Sequence, residues 1–326
     1  MYVLNKLAIW VMTGLLAITT VFFNAYISLM SLWNYKEKKQ WTPCETIIMA
    51  LSVADVAHQL FSYFWMTMDE VDSNCQIAQM GYNVLLVLIF SSKFTIMWDS
   101  SFLTFYYSTK LVHTPNHCYT HIQDVILKHV TLAVFLIPLC SLGFCTPMLV
   151  VFNTDNSTLR ANQQCGHTFP TSNSVKIYQA LYLLLTDILP GVIMVKCCIS
   201  ISVHLAIHLQ HMKASSNGAH APKLGTQIRV IRMSLSLAAN FLVYLTVDLY
   251  ASYEIVVNKV NALTLTFCIT SFYTTVTAIV LIYGKKTLWK TLIHDFNVCL
   301  EEYPCLSCLK LPEQKSQPSL HSKVKN

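Results

Sequence analysis

Seven runs of this chain are each long and apolar enough to cross a bilayer, and no other feature limits its fold as strongly. They cover approximately 7–33, 46–68, 77–107, 130–152, 177–209, 233–257 and 260–283. About 20 apolar residues suffice for a helical crossing. In hydrocarbon a chain must satisfy its own backbone polar groups, and only helices or closed barrels do so. Runs of this length are helices, so the expected fold is an all-α membrane protein, a bundle of seven transmembrane helices. The third and fifth runs exceed the hydrocarbon thickness and are expected to tilt or to project into water. The first follows only a few residues and is too long for the apolar part of a cleavable signal, so it is expected to be a true span.

Composition agrees. The chain is 54% apolar and 12% charged, about half the charge of an ordinary soluble domain. Its net charge of +6 is not gathered on one soluble face, so it is not the footprint of a nucleic-acid binder. The basic residues sit between the apolar runs. With the N-terminus outside, Lys36, Lys38, Lys39, Lys110, Arg229, Arg232, Lys285 and Lys286 fall among the inner segments. The outer segments hold only Lys6, Arg160, Lys176 and Lys259. This excess of inner positive charge predicts an extracellular N-terminus and a cytoplasmic C-terminus. The sequon at Asn156 then lies in an outer loop and is the expected glycosylation site.

The twelve cysteines form no paired CxxC pattern at zinc spacing, so no metal site and no cofactor is expected. P-loop, GxSxG and HExxH motifs are absent from the sequence, and short inner loops leave no room for a catalytic domain. An enzyme is not expected.

Seven spans in this orientation suggest a G-protein-coupled receptor. A transporter or channel is the alternative from another class, and transporters usually show repeat symmetry and spans broken by glycine or proline; here glycine is scarce, the two halves do not resemble each other and the polar residues form no repeated pattern. Several motifs narrow the receptor reading. His208-Leu209-Gln210-His211-Met212, followed by Gly218, Pro222 and the run 227–236, resembles the stretch joining the fifth and sixth spans of type 2 (bitter) taste receptors. Tyr106-Tyr107-Ser108-Thr109-Lys110-Leu111 is similar to the family's third-span ending, Asn24 to its first-span motif, and Leu281-Ile282-Tyr283-Gly284 to the close of its seventh span. The chain departs from the pattern at Asp55, where the family usually has arginine, and at Thr274, Thr277 and Ala278. It resembles a divergent, non-mammalian type of member. Vomeronasal type 1-like receptors are the neighbouring alternative.

The resemblance implies a chemosensory receptor of the plasma membrane. It implies a small, mostly hydrophobic bitter-type agonist in the outer half of the bundle, and a gustducin-like G protein of the inhibitory class on the inner face. Ionisable residues within a span are costly and mark pairs or sites by default; here they are Asp55, Lys93, Asp99, Asp187, Lys196 and Asp248. Lys93 lies roughly 21 Å along the helix from Tyr107, above mid-membrane. Leu86, Ile89, Phe90, Lys93, Phe94 and Met97 share one face by helical spacing, and by resemblance that face lines the ligand pocket. Lys93 is expected either to meet an anionic or acceptor-rich ligand, or to pair with Asp248 or Asp187. Tyr244 resembles an activation switch beneath the ligand. Asp248 lies one turn above it, and Phe267, Thr270, Tyr250 and Glu254 are candidates for the remaining wall.

At the inner face Tyr107, Lys110, His208, Arg229 and Arg232 resemble the surface that engages a G protein. Cys75 and Cys165 are the outer cysteines, and an oxidising exterior permits them to bridge. The run after Gly284 places Leu288, Trp289, Leu292, Ile293 and Phe296 on one apolar face beside lysines, as in a helix lying on membrane lipids. Cys299, Cys305 and Cys308 follow it as palmitoylation candidates. A receptor domain over 1–300 and a polar, disordered cytoplasmic tail over 301–326 complete the expected organisation.

Overall fold

The computed structural model describes residues 6–39, 41–71, 79–111, 121, 125, 128–154, 173–215, 225–256 and 263–302. They form ten α-helices: α1 (Lys6–Lys38), α2 (Pro43–Val71), α3 (Gln79–Leu111), α4 (Val130–Cys145), α5 (Pro147–Thr154), α6 (Asn173–Leu183), α7 (Leu189–Ser215), α8 (Gly225–Val256), α9 (Leu263–Gly284) and α10 (Lys286–Glu301). A π-helical segment, Leu184–Ile188, joins α6 to α7. Seven spans long and apolar enough to cross a membrane emerge, α4 with α5 forming the fourth and α6 with α7 the fifth. The chain is a seven-transmembrane helix bundle. Large apolar side chains on its outside, such as Ile18 and Trp33 at 71% exposure, belong against lipid.

Proline explains the two spans that depart from uninterrupted helices. The expected single helix over 130–152 breaks at Thr146. Pro147 has no N–H for the Gly143 carbonyl four residues back, and the chain restarts with a tighter Leu149 N–H to Thr146 carbonyl bond of 3.0 Å. In the fifth span Pro190 cannot bond to Thr186 for the same reason. The register widens there, and the Leu189 N–H reaches the carbonyl of Leu184 instead. Trp98 of α3 donates from its indole Nε1 to the Leu185 carbonyl at 3.1 Å, so α3 satisfies a carbonyl within the widened turn.

Two apolar clusters fill the bundle. One gathers Ile27, Leu51, Ile96, Met97, Phe241 and Tyr273, the other Trp65, Leu86, Ile89, Phe90, Tyr182 and Phe267. Polar side chains stitch helices across them, as lipid-embedded helices lack a hydrophobic drive to associate and rely on packing and hydrogen bonds. Gln59 donates to Thr274 at 2.7 Å and accepts from Ser271 at 2.9 Å, tying α2 to α9. Thr20 and Thr275 hydroxyls meet at 2.5 Å between α1 and α9.

The amphipathic helix expected after Gly284 is α10. Lys285 takes an extended conformation and turns the chain between α9 and α10. Its ammonium holds Glu45 of α2 at 3.1 Å, and Tyr26 of α1 donates to Asp295 of α10 at 3.1 Å. The helix is therefore tied back to the bundle's end.

Candidate functional site

Lys93 sits where the two apolar clusters meet on α3, between Phe90 in one and Met97 in the other. It is buried, at 3% exposure. A lysine in such surroundings is tolerated only with partners, because an isolated ammonium in a low-dielectric interior is very costly. It has two. The Nζ donates to Asp248 Oδ2 of α8 at 3.0 Å, and lies 3.4 Å from Asp187 Oδ2 in the π-helical segment. Tyr244, one turn below Asp248 on α8, donates to Asp187 Oδ1 at 3.2 Å. The Lys93 ammonium also stands over the Tyr182 and Tyr244 rings, 5.8 and 5.5 Å from their centroids, within reach of a cation–π attraction.

The third, fifth and sixth spans are thus joined through one ammonium. Two carboxylates face it, so the group as ionised carries one negative charge in excess. Asp248 Oδ1 has no hydrogen-bond partner among the described residues. Asp248 lines a cleft of about 30 Å³ together with Phe90, Lys93, Tyr182, Leu263 and Thr266, among others. That is room for only a water or two.

The sequence candidates divide accordingly. Phe90, Lys93 and Asp248 line the cleft, and Asp187 and Tyr244 lie directly behind it. Leu86 and Ile89 are fully packed and do not line it. Phe94 stacks on Trp98, with ring centroids 6.0 Å apart. Phe267 is buried edge-on against Trp65 at 5.3 Å. Thr270 is buried and turns its hydroxyl back to the Thr266 carbonyl at 2.8 Å. Tyr250 points away from the bundle, at 58% exposure. Lys196, expected inside, lies exposed on the outer face of α7. Of the α3 stripe that helical spacing puts on one face, Leu86, Ile89, Phe90, Lys93 and Met97 are buried, and Phe90 and Lys93 border this cleft.

Two residues near the site were not singled out from sequence. His58 of α2 is buried, its Nδ1 3.2 Å from the Ile89 carbonyl and 3.1 Å from Ser92 Oγ, and it fixes α2 against α3 one turn from Lys93. Tyr182 donates to the Phe90 carbonyl at 2.9 Å and closes the cleft's side. Uncharged polar residues inside an apolar run were the available signal.

At the opposite end, Tyr107 is half-buried against Cys44, hydroxyl to Sγ 2.9 Å. Lys110 is exposed, its ammonium 4.9 Å from the Tyr106 ring centroid. On α8 Arg229 is half-buried and Arg232 exposed. His208 falls on α7. Cys299 is exposed on α10. Asn156, Cys75, Cys165, Cys305 and Cys308 lie outside the described residues, as does the tail beyond 302.

Comparison with known families gives one match that covers most of the chain. The family model described as taste receptor protein (TAS2R) matches residues 1–299, which include every described helix up to the last turn of α10.

Proposed function

The chain belongs to the TAS2R taste receptor family, and from that membership we propose that it is a receptor for small, hydrophobic bitter-type molecules which bind beside Lys93 and drive a gustducin-like G protein of the inhibitory class. It is a chemosensory G-protein-coupled receptor and a multi-pass membrane protein, not an enzyme. The observation that carries the ligand-site reading is the ammonium of Lys93 held between Asp248 at 3.0 Å and Asp187 at 3.4 Å.

One side chain holding α3, the π-helical segment and α8 together is a natural two-state element. A ligand shifts such an equilibrium only by its differential affinity for the two states. The cleft beside Lys93 is too small for a drug-sized molecule, so a ligand must widen it. Widening moves α8 relative to α3, and α8 carries Arg229 and Arg232 at its other end. The excess carboxylate and the Asp248 Oδ1, without a hydrogen-bond partner among the described residues, support a hydrophobic agonist bearing a hydrogen-bond donor or a positive group. They support it more than the acceptor-rich ligand that an isolated lysine suggests. Phe90, Asp187 and Tyr244 join Lys93 and Asp248 in this reading. Leu86, Ile89, Phe94, Phe267 and Thr270 supply its packed surround.

Tyr107, Lys110, His208, Arg229 and Arg232 are read as the G-protein-facing set, and Cys299, Cys305 and Cys308 as palmitoylation sites that anchor this end to membrane lipids. In this reading the N-terminus lies outside the plasma membrane, with a glycan on Asn156 and a Cys75–Cys165 bridge. Residues 1–300 are taken as the receptor domain and 301–326 as a cytoplasmic tail. Agonist-dependent GTP exchange on purified G protein, in membranes holding no other receptor, tests the function. Substrate or ion flux into liposomes without any G protein would overturn it in favour of a transporter.

A further inference from the structure

A second cavity lies on the outer surface of the bundle and shares no lining residue with the cleft beside Lys93. Between α2, α3 and α4 runs a groove of about 640 Å³, within the size range of small-molecule pockets. The sequence makes it: Ala50, Ala54 and Ala57 recur at helical spacing on α2, and side chains that end at Cβ leave the space unfilled. The groove's edges carry lipid-facing groups, Val53 at 54%, Phe135 at 67% and Leu142 at 39% exposure. Its floor is polar, with Ser91, Ser92, Thr95 and Asp99 of α3.

The floor hydroxyls are engaged. Ser91 and Thr95 meet Ser141 of α4 at 2.8 and 3.1 Å, and Ser92 donates to the Ile89 carbonyl at 2.9 Å. Asp99 differs. It is fully buried, and neither carboxyl oxygen has a hydrogen-bond partner among the described residues. Asp55 of α2, the other charge acting near it, is a second buried carboxyl, but it has the Asn24 side chain of α1 beside it. Lys93 is already held by Asp187 and Asp248. A buried polar group without a partner is costly, and one at membrane depth marks a site by default. A lipid acyl chain in this groove would gain apolar contact and leave Asp99 as it is. A molecule carrying both an apolar body and a cationic head satisfies both surfaces.

We propose that the α2–α3–α4 groove binds a lipophilic amine that enters from the bilayer, its apolar body against Ala54, Ala57 and Phe135 and its ammonium beside Asp99. The test uses the purified full-length receptor in lipid nanodiscs. The probe is a primary dodecylamine tagged with dansyl at its far end, compared with the tagged alcohol of the same chain length. On the unaltered receptor the amine binds saturably, about tenfold tighter than the alcohol, as befits a charge-assisted hydrogen bond against a neutral one. Asp99→Asn removes that preference. Ala57→Phe, which fills the groove from a half-buried position, removes saturable binding of both probes and serves where Asp99→Asn does not fold. Equal affinity of amine and alcohol on the unaltered receptor would overturn the proposal, leaving a surface for acyl chains only. A preference that survives Asp99→Asn, or binding unchanged by Ala57→Phe, would overturn it as well.

Discussion

The Lys93 ammonium is shared by Asp248 at 3.0 Å and Asp187 at 3.4 Å, so the loss of one lysine strands two carboxylates. Removing one member of a buried ionic group typically costs about 3–5 kcal/mol, because the remaining charge is left uncompensated. Lys93→Met is therefore expected to lower the thermal stability of the purified receptor and its surface expression. Adding Asp187→Asn and Asp248→Asn to the same chain restores both, since neutral amides need no counter-charge. Flow cytometry of surface receptor and a thermal unfolding curve read the two effects. A triple variant no better than Lys93→Met alone would show that the pairing is not what holds these spans.

Tyr244 offers a gentler perturbation of the same site. Its hydroxyl donates to Asp187 Oδ1 at 3.2 Å from a fully buried position, and a hydrogen bond to a charged group contributes about 1.5–3 kcal/mol. Tyr244→Phe keeps the ring packing on Tyr273, with centroids 5.0 Å apart, and removes only that bond. α8 is then less firmly held to the π-helical segment. Agonist-free GTP exchange is expected to rise by roughly tenfold if the bond is made only in the resting state, since about 1.4 kcal/mol is a factor of ten. Unchanged basal exchange would place the bond in both states.

The π-helical turn has its own test. Pro190 forbids the ordinary bond to the Thr186 carbonyl, and Trp98 satisfies Leu185 at 3.1 Å. Pro190→Ala permits a regular α-helix and intrinsically favours it by about 3 kcal/mol. Regularising the register rotates Asp187 away from Lys93. The variant is expected to fold and reach the surface while agonist potency falls at least several-fold. Concentration–response curves against surface-normalised receptor measure this. Trp98→Phe, which leaves the Leu185 carbonyl without its donor, should instead lower thermal stability by about 1–3 kcal/mol.

Much of this architecture was legible because the bilayer sets a length that each helix must meet, and apolar runs of that length stand out. The charges at 93, 187 and 248 were legible for the same reason, being expensive where they stand. Hydropathy is blind to hydrogen-bond register, so the break at Thr146 and the widened turn at Asp187 were not read, although Pro147 and Pro190 carry the signal. The α3 periodicity placed Leu86, Ile89 and Phe90 on one face. It could not tell a face packed on Trp65 and Phe267 from one that borders a cleft, because that depends on the shape of the opposing helices. His58 and Gln59 were passed over because a neutral polar residue in an apolar run carries little cost until its partners are known. Here they bind α2 to α3 and to α9.

Gly284 is a place where the backbone itself makes the contact. It ends α9 beside Met233 of α8, and a Cβ built there would overlap the Met233 side chain from Cβ to Sδ. Valine needs still more room, and overpacking of a tight site costs about 1–3 kcal/mol. Gly284→Val is thus expected to separate the inner ends of α8 and α9, with surface expression reduced several-fold. Lys285 next to it, whose pair with Glu45 is partly solvent-exposed, should matter far less on substitution by alanine, about 1 kcal/mol or under. Gly81→Ala is the control, since a Cβ there meets nothing within 4 Å and alanine in a helix is favoured over glycine by about 1 kcal/mol. It should leave expression equal or slightly higher. The three variants compared by surface labelling and by thermal unfolding separate close helix approach from loss of charge. If Lys285→Ala proved as damaging as Gly284→Val, the ion pair with Glu45 rather than the contact with Met233 would be what joins the inner ends of these spans.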